Sequence, residues 1–442
     1  MSCTRAFLVG ASASGSGKTT FTLGLLRALS RRGLRVAPFK CGPDYIDPKF
    51  HNEAVGAARS VNLDLFFEQP DELRRTFAHY TAGNDVAVVE GVMGLYDGYQ
   101  GAQGSAAQLA ASLGLPIILL VSAKSSAYSV APILYGFRHF VAPEVGAAPN
   151  IVGVVFNHVA SESHYQYLLS ACESVGVRVL GYLPKMGDIA VPNRHLGLDV
   201  ATVENYGRQI DKIADAVEAH VDLDALLQYS VIDIPPAPDS VRPASTPLSL
   251  PPRIGVACDE AFNFTYRANM DHLRAWGEVS FFSPIHDDRL DTYDLIYLAG
   301  GYPEFYLPEL SANRSMHEAI RCHAKRGGKI FAECGGMMYL CKAIIGMDGL
   351  TYPMLGLLDQ TATMEGMRLR LGYRQFEYNG QKWRGHEFHY STVVDPLASV
   401  TEIYTARGEK SNAALWRVEN IVASYVHLYW GNNNLLGLFD YV

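Results

Sequence analysis

The sequence contains few cysteines, no surplus of basic residues and no long apolar stretch. Its 442 residues include seven cysteines, and no two of them form a Cys-x-x-Cys pair. We therefore expect free thiols in a reducing cytoplasm, and neither a disulfide framework nor a zinc knuckle. Acidic residues (45) outnumber Lys and Arg (37), and the formal net charge of −8 argues against binding to nucleic acids or anionic membranes.

The apolar stretches that are present are typical of a soluble globular protein. Residues 115–121 form a run far too short to cross a bilayer. Residues 6–10 are expected to form a first strand and not a signal peptide. No internal repeat is evident, and the length is enough for about two to three domains with cores of their own.

A strand, a small-residue loop and an amphipathic helix open the chain. Residues 12–20 read Ser-Ala-Ser-Gly-Ser-Gly-Lys-Thr-Thr, and leucines then recur at helical spacing. This is typical of a P-loop, in which backbone N–H groups surround phosphate, Lys18 reaches the β- and γ-phosphates and the Thr19 hydroxyl can bind Mg²⁺. The loop departs from the usual pattern at Ser12, where a glycine is expected. The predicted ATP-contacting residues are Ser14, Gly15, Ser16, Gly17, Lys18, Thr19 and Thr20.

Acidic residues follow later strand-like segments of this half. Asp44 and Asp47 lie in a Gly/Pro-marked loop after the strand that ends at Lys40. They either form turns or approach Mg²⁺ or the substrate, while Lys40 is a candidate for contact with a phosphate or a substrate carboxylate. Glu90 ends an apolar strand, resembles a Walker B acid and would complete a metal site. Asp97 lies in a glycine-flanked loop that could close on a ligand.

The alternation of strand-like and helical patterns predicts the fold of the first half. We expect a mostly parallel, doubly wound α/β sheet, with ligands at the carboxyl ends of its strands. The loop at residues 192–198 carries a cationic cluster that either contacts an anionic ligand or is simply solvated. Residues 233–252 hold seven of the 22 prolines and are predicted to be a linker between domains at 1–232 and 253–442.

The second half carries a candidate nucleophile. Cys334 stands between the apolar segment 330–332 and a glycine pair, which is how a nucleophile elbow is built, although a lone cysteine is often only structural. The glycine pair at residues 300–301 follows another strand and can donate N–H groups to an oxyanion. His427 is the natural general base, with a buried core histidine as the alternative. The His-Glu-x-His sequence at 386–389 lacks the i, i+4 spacing of a zinc site and is interpreted as structural or interdomain.

These motifs together resemble the cobyrinic acid a,c-diamide synthases and their relatives that act on hydrogenobyrinic acid and nickel-sirohydrochlorin. The resemblance covers essentially the whole chain and is carried by ordered motifs at 11–20, 40–45, 90–98, 194–198, 300–304, 333–336, 384–391 and 427. It implies a P-loop synthetase domain like dethiobiotin synthetase, followed by a class I glutamine amidotransferase domain.

The resemblance also implies the chemistry. Cys334 would attack the carboxamide of glutamine and release ammonia, with the Gly301 and Gly335 amides on the oxyanion. Mg-ATP would phosphorylate an acetate carboxylate of the macrocycle, which ammonia then attacks, once at the c and once at the a position. The groups expected to neutralise charge are Lys18, Lys40 and a Mg²⁺ ion on Thr19, Asp44 and Glu90. Asp47 and Asp97 match family positions near the substrate, where they would orient it or assist the amine.

Two departures from the family pattern and several alternatives stay open. Tyr429 stands two residues after the histidine, where this class of amidotransferase usually has a glutamate, so a Cys–His dyad is expected. Asn193 stands where an acid is common. The alternatives are cobyric acid synthase, a partitioning-type ATPase and a glutamine sensor with a dead site. The motifs do not distinguish the three macrocycles, and a cytoplasmic homodimer is expected by analogy.

Overall fold

The computed structural model describes residues 2–186, 206–234, 251–431 and 433–439. The chain forms two compact units, Met1–Val241 and Arg242–Val442. The basic loop at 192–198 and residues 235–250 of the predicted linker lie outside the described residues. Asp233 and Ile234, which the sequence suggested as the start of the linker, belong instead to a strand of the first unit.

An eight-stranded sheet forms the centre of the first unit. Seven strands run parallel in the order β3-β2-β4-β1-β5-β6-β7, and β8 pairs antiparallel with β1. The strands are β1 Ser2–Ala11, β2 Val36–Cys41, β3 Val61–Leu63, β4 Val86–Glu90, β5 Ile117–Ser122, β6 Ile151–Val159, β7 Val179–Pro184 and β8 Val231–Ile234. The helices are α1 Lys18–Arg31, α2 Asp47–Val55, α3 Pro70–Thr81, α4 Ala106–Leu113, α5 Val130–His139, α6 Glu162–Ser174, α7 Gly207–His220 and α8 Leu223–Gln228.

Helices cover both faces of this sheet because successive residues of each strand point to opposite sides. Ala6 and Leu8 of β1 pack in a core with α3 to α6. Phe7 and Val9 pack in a second core with α1, α2, α7 and α8. The predicted doubly wound sheet is therefore confirmed, and the carboxyl ends of β1, β2 and β4 meet at one edge.

The second unit is built around a six-stranded sheet in the order β10-β9-β11-β12-β21-β20, in which only β20 is antiparallel to its neighbour. Two four-stranded sheets, β14-β13-β15-β18 and β19-β16-β17-β22, complete it. The strands are β9 Arg253–Ala257, β10 Glu278–Phe282, β11 Leu295–Leu298, β12 Lys329–Glu333, β13 Cys341–Ile345, β14 Thr351–Pro353, β15 Leu358–Thr363, β16 Arg370–Tyr378, β17 Gln381–His389, β18 Thr392–Val394, β19 Tyr404–Thr405, β20 Leu415–Val418, β21 Ile421–Ser424 and β22 His427–Tyr429. The helices are α9 Arg267–Trp276, α10 Leu307–Ala312, α11 Arg314–Lys325 and α12 Gly335–Leu340.

The second α/β unit agrees with the predicted fold class. Sequence alone did not indicate that the late segment after residue 420 divides into two strands of different sheets. The first, β21, pairs with β12, whereas β22 pairs with β17. Within the described part of the chain, none of the helices is long and apolar enough to cross a membrane.

Candidate functional site

The loop between β1 and α1 has the shape of a phosphate-binding loop. Gly17 has φ +87° and directly precedes the first turn of α1, so its conformation favours glycine. A Cβ at Gly17 would also overlap the side-chain amide of Asn157, which donates a 2.9 Å hydrogen bond to the Ser16 carbonyl. The Ser16 hydroxyl donates to the Ala13 carbonyl at 2.8 Å. The loop is therefore held open at the N-terminus of a helix, where anions bind favourably.

The functional side chains at the end of this loop contact the carboxyl end of β4 and the loop that follows it. The Thr19 hydroxyl donates a 2.7 Å hydrogen bond to Oε1 of Glu90. Lys18 Nζ donates to the Met93 carbonyl at 2.8 Å. The structure thus brings together Lys18, Thr19 and Glu90. The sequence predicted that all three act on one bound nucleotide and its Mg²⁺ ion.

Glu90 is the centre of a fully buried ionic group. Lys40 Nζ lies 2.9 Å from Oε1 of Glu90 and 2.5 Å from Oδ2 of Asp47. His51 Nε2 lies 2.7 Å from Oε2 of Glu90, and its Nδ1 lies 3.1 Å from the Ser60 hydroxyl. Burial alone would raise the pKa of Glu90, but the Lys40 charge and the His51 contact outweigh it and hold that pKa well below 4.5. Glu90 is therefore a carboxylate at neutral pH.

His51 was not identified from the sequence. It belongs to no motif, and the only signal was its position four residues after Asp47, which places both side chains on one face of α2. The position of Lys40 between two acids was not foreseen either. Its ammonium group bonds to Asp47 and Glu90 inside the protein, and its side chain is 0% exposed.

The two remaining acids that the sequence singled out in this unit, Asp44 and Asp97, bond to the backbone of their own loops. Asp44 Oδ1 accepts hydrogen bonds from the N–H groups of Ile46 and Asp47, both at 2.9 Å. Asp97 Oδ2 accepts from the Gly94 N–H at 2.8 Å. The bonds of Asp44 fit the turn-forming role that the sequence left open for it. Contact of Asp44 or Asp97 with a metal or a substrate stays a prediction.

Cys334 lies on a strained turn between β12 and α12. Its φ of 46° and ψ of −108° are rare for a residue other than glycine, and such strain is typical of a nucleophile elbow. The Cys334 N–H donates to the Ser424 carbonyl of β21 at 2.8 Å. The next turn is crowded as well, because a Cβ at Gly336 would overlap the Leu298 carbonyl.

The two glycines predicted to bind the oxyanion lie side by side. A Cβ at Gly335 would lie 3.2 Å from the Gly301 nitrogen and 2.7 Å from Cδ of Pro303. A side chain at Gly335 is therefore excluded where the two backbones meet. The two glycines lie next to Cys334 in space, and binding of an oxyanion by their N–H groups stays a prediction.

His427 is buried against the same glycine turn. A Cβ at Gly300 would overlap Cε1 of the imidazole ring, so the histidine lies directly on the Gly300 backbone. Burial first, and then the charges of His386 and His389, lower the pKa of His427 to about 3. The ring is therefore neutral at pH 7.

The cysteine is also neutral in this state. Burial raises the pKa of the Cys334 thiol, and the nearby carboxyl groups of Glu304, Glu333 and Glu387 raise it further, against a lowering by the Gly335 N–H. Burial also raises the pKa of Glu304 to about 7. Thiol and imidazole are therefore both uncharged in this state, and their roles as nucleophile and general base stay predictions.

A buried network surrounds the 384–391 segment, of which residues 384–389 belong to β17. Arg374 Nη2 lies 2.6 Å from Oε2 of Glu387, and Nε2 of His389 lies 3.3 Å from Oε1 of the same carboxylate. The His389 ring stacks on Tyr425 with centroids 3.8 Å apart. The thiol of Cys334 lies 3.8 Å from the Phe388 carbonyl, so this segment borders the nucleophile as well as supporting the sheet.

Both halves of the chain match known domain families. Residues 7–198 match the CobQ/CobB/MinD/ParA nucleotide binding domain, and residues 253–435 match the CobB/CobQ-like glutamine amidotransferase domain. Together with the sites described above, these domains define the class of the protein, which is a glutamine-dependent ligase with a nucleotide-binding domain.

Curated relatives identify the family. Cobyrinate a,c-diamide synthase of Dehalococcoides mccartyi (strain CBDB1) is 39% identical over 98% of this chain and 96% of the relative. The enzyme of that name from Salmonella typhimurium (strain LT2) is 40% identical over 96% of this chain and 95% of the relative. Hydrogenobyrinate a,c-diamide synthase of Rhodobacter capsulatus is 40% identical over 96% of this chain and 98% of the relative. The chain belongs to this family of a,c-diamide synthases, as the motifs predicted.

Proposed function

We propose that this protein amidates the a and c acetate carboxylates of cobyrinic acid in cobalamin biosynthesis, with ATP and glutamine as co-substrates. One observation carries the proposal: Cys334 stands on a strained elbow beside the Gly301 and Gly335 amides, with the neutral His427 ring against Gly300. Curated relatives carry the names of both cobyrinate and hydrogenobyrinate enzymes, so hydrogenobyrinic acid is the main alternative substrate. Nickel-sirohydrochlorin is a further alternative.

The second unit would release ammonia from glutamine. His427 takes the proton from the Cys334 thiol as sulfur attacks the carboxamide carbon, and the oxyanion that forms is bound by the Gly301 and Gly335 N–H groups. Return of the proton to the leaving nitrogen releases ammonia and leaves a glutamyl thioester. Water then hydrolyses the thioester to glutamate and restores the thiol.

The first unit would activate the carboxylate. An oxygen of the acetate attacks the γ-phosphorus of ATP, ADP leaves, and an acyl phosphate forms. Ammonia attacks the acyl carbon, and phosphate leaves where hydroxide would leave poorly. Lys18 and the loop amides hold the phosphates in line, which is the main requirement of phosphoryl transfer.

A Mg²⁺ ion would be held by the predicted ligands Thr19, Asp44 and Glu90, of which Thr19 and Glu90 bond to each other. The Thr19 hydroxyl and the Asp44 and Glu90 carboxylates are hard oxygen ligands of the kind that Mg²⁺ prefers. Both oxygens of Glu90 already accept hydrogen bonds, from Thr19 and Lys40 on one side and from His51 on the other, so Glu90 would act mainly by orienting the Thr19 hydroxyl. When bound, the ion would neutralise charge on the β- and γ-phosphates.

The other polar residues of the first unit have supporting roles in this proposal. Lys40 keeps Glu90 and Asp47 in place, and its contact with a phosphate remains part of the proposal. Asp47 and Asp97 would orient the macrocycle or assist the attacking amine. A cytoplasmic homodimer remains part of the proposal, and light scattering of the purified protein tests the dimer.

The deciding experiment is mass spectrometry of the products formed with ATP, Mg²⁺ and glutamine. Cobyrinic acid, hydrogenobyrinic acid and nickel-sirohydrochlorin are offered separately. Two added amides on cobyrinic acid are expected. Two amides on only one of the other macrocycles would move the substrate to that compound, and four amides would indicate cobyric acid synthase chemistry instead. ATP hydrolysis without any amide would contradict the proposed function.

A further inference from the structure

The strand that carries His427 is short and lies at the edge of its sheet. β22 contains only three residues, and its neighbour in that sheet is β17. The pairing places His427 opposite His386 and Leu428 opposite Gly385. In antiparallel pairing, the backbone groups of alternate residues point away from the partner strand. The peptide groups of Leu428 and Trp430 therefore point to the other edge, where side chains bond to them.

Glu333 bonds to this edge from the strand that leads to the nucleophile. Its carboxyl is 1% exposed, and Oε1 accepts the Leu428 N–H at 2.8 Å. Oε2 accepts the hydroxyl of Tyr297 at 2.6 Å. Glu333 is the last residue of β12 and directly precedes Cys334. One side chain thus joins the strand of the nucleophile to the strand of the base.

Asn269 of α9 bonds to the same edge. Its Nδ2 donates to the Leu428 carbonyl at 2.8 Å, and its Oδ1 accepts the Trp430 N–H at 3.1 Å. Only one orientation of the amide satisfies both bonds, because one partner is an acceptor and the other a donor. Asn269 is 2% exposed, so both bonds are shielded from water. Together, Glu333 and Asn269 form what we call the β22 clamp.

We propose that Glu333 and Asn269 are positioning residues for the glutaminase reaction, which fix His427 through the backbone of β22. Tyr429 stands two positions after the histidine, where a glutamate that orients the histidine is usual in this class of amidotransferase. In this arrangement a carboxyl still orients the base, but through the peptide that follows it and not through the imidazole. The inference rests on the proposed role of His427 as the general base.

The free-energy cost of burying the Glu333 carboxyl supports a specific role for this residue. A carboxyl in a dry interior is unfavourable compared with a leucine of similar size, and burial raises the pKa of Glu333 to about 8. The Leu428 and Tyr297 bonds offset part of that cost, but an apolar side chain would remove the need for it. A buried carboxyl that hydrogen-bonds to the strand of the general base is better explained by a role in orienting His427 than by a contribution to the stability of the fold.

The test compares Glu333→Leu, Glu333→Gln and Asn269→Ala in glutamate release from glutamine. Glu333→Leu removes both bonds of the carboxyl, and Asn269→Ala removes both bonds of the amide. We expect each to lower kcat by about 10- to 100-fold with little change in KM, since small misplacements of a catalytic group cost that much. Glu333→Gln can still accept from Leu428, and its amide can donate to the Tyr297 oxygen, so it should stay within about threefold of the parent.

The pH profile separates positioning from general damage. Because burial keeps the pKa of His427 low, a ring that moves out of its place should shift the acid limb of kcat/KM to higher pH in Glu333→Leu. Loss of folded protein would lower the whole profile without moving that limb. Amidation with free ammonia should be unchanged in every variant, which also verifies that the first unit is intact.

Two further variants make each outcome decisive. Tyr297→Phe removes only the second bond of Glu333, leaves the Leu428 bond in place and should keep nearly full glutaminase activity. His427→Ala should be inactive with glutamine, and an active His427→Ala would overturn the proposed function and not the clamp alone. With His427→Ala inactive, normal kcat in both Glu333→Leu and Asn269→Ala would overturn the clamp. If Glu333→Leu fails to fold, Asn269→Ala decides.

Discussion

Gly300 offers the sharpest test of the position of His427. The Gly300 carbonyl accepts the N–H groups of Asn263 and Phe264, each at 3.0 Å, so its backbone is fixed on one side. In Gly300→Ala the new Cβ would lie 2.8 Å from Nδ1 and 3.1 Å from Nε2 of His427, and would overlap Cε1. The ring and the alanine cannot both keep these positions.

The expected loss follows from how far the imidazole has to move. Ordinary contacts of a Cβ are 3.4–4 Å, so the ring must retreat by about an ångström, and such a displacement of a catalytic group costs about 100-fold. That loss corresponds to about 2.7 kcal/mol in the activation barrier. The backbone itself is not strained by alanine, because Gly300 is not among the glycines with positive φ.

The assay measures glutamate release, and ammonia-dependent amidation in parallel. Gly300→Ala should lose the first activity and keep the second. Gly136→Ala is the matched control, because nothing lies within 4 Å of a Cβ at that helical position, and it should behave as the parent in both assays. Glutaminase activity of Gly300→Ala within about threefold of the parent would refute the placement of His427 over Gly300 as the working geometry.

Three other substitutions test the two active sites. Cys334→Ser should abolish glutamine-dependent synthesis while free ammonia still supports it, because a serine hydroxyl is a much poorer nucleophile than a thiol. Loss of both activities in a folded variant would contradict the assignment of ammonia release to the second unit and amidation to the first. Glu90→Gln should block amidation with either nitrogen source by weakening its bonds to Thr19 and Lys40, and normal ammonia-dependent turnover would remove Glu90 from the site. Glu333→Gln should change the pH dependence of stability. Burial raises the pKa of Glu333 from 4.5 to about 8, so the unfolded carboxyl ionises in this window while the native one stays protonated. The parent should therefore lose stability as pH rises from 4.5 to about 8, and the variant should lose less, as measured by urea unfolding at both ends. Equal losses would contradict the raised pKa of this buried carboxyl.

Local patterns allowed the phosphate loop and the cysteine elbow to be predicted from sequence. In both, a strand, a turn and a helix are consecutive in the chain, so the residues that meet are also neighbours in sequence. Glu90 was found because an apolar strand that ends in an acid is a local signal too. The doubly wound sheet followed from the same alternation of patterns.

The partners of these residues could not be predicted, because long-range pairing sets them. Lys40 and Glu90 are 50 residues apart, and they meet because β2 and β4 are adjacent and in register at these positions. Glu333 and Leu428 are 95 residues apart, and they meet only because β22 leaves the sheet of β21 and joins β17. No residue pattern near Asn269 indicates that its amide bonds to a strand so much later in the chain.

The neutral resting state of Cys334 and His427 affects how the nucleophile survives in the cell. Oxidants and simple alkylating agents react with the thiolate and hardly with the thiol, so a buried, protonated cysteine is shielded from both. In the proposed mechanism, only a molecule that presents an electrophilic carbon to the sulfur draws the proton onto the imidazole. Inactivators shaped like glutamine should therefore label Cys334 quickly, while small unspecific reagents should react first with Cys258, which is exposed.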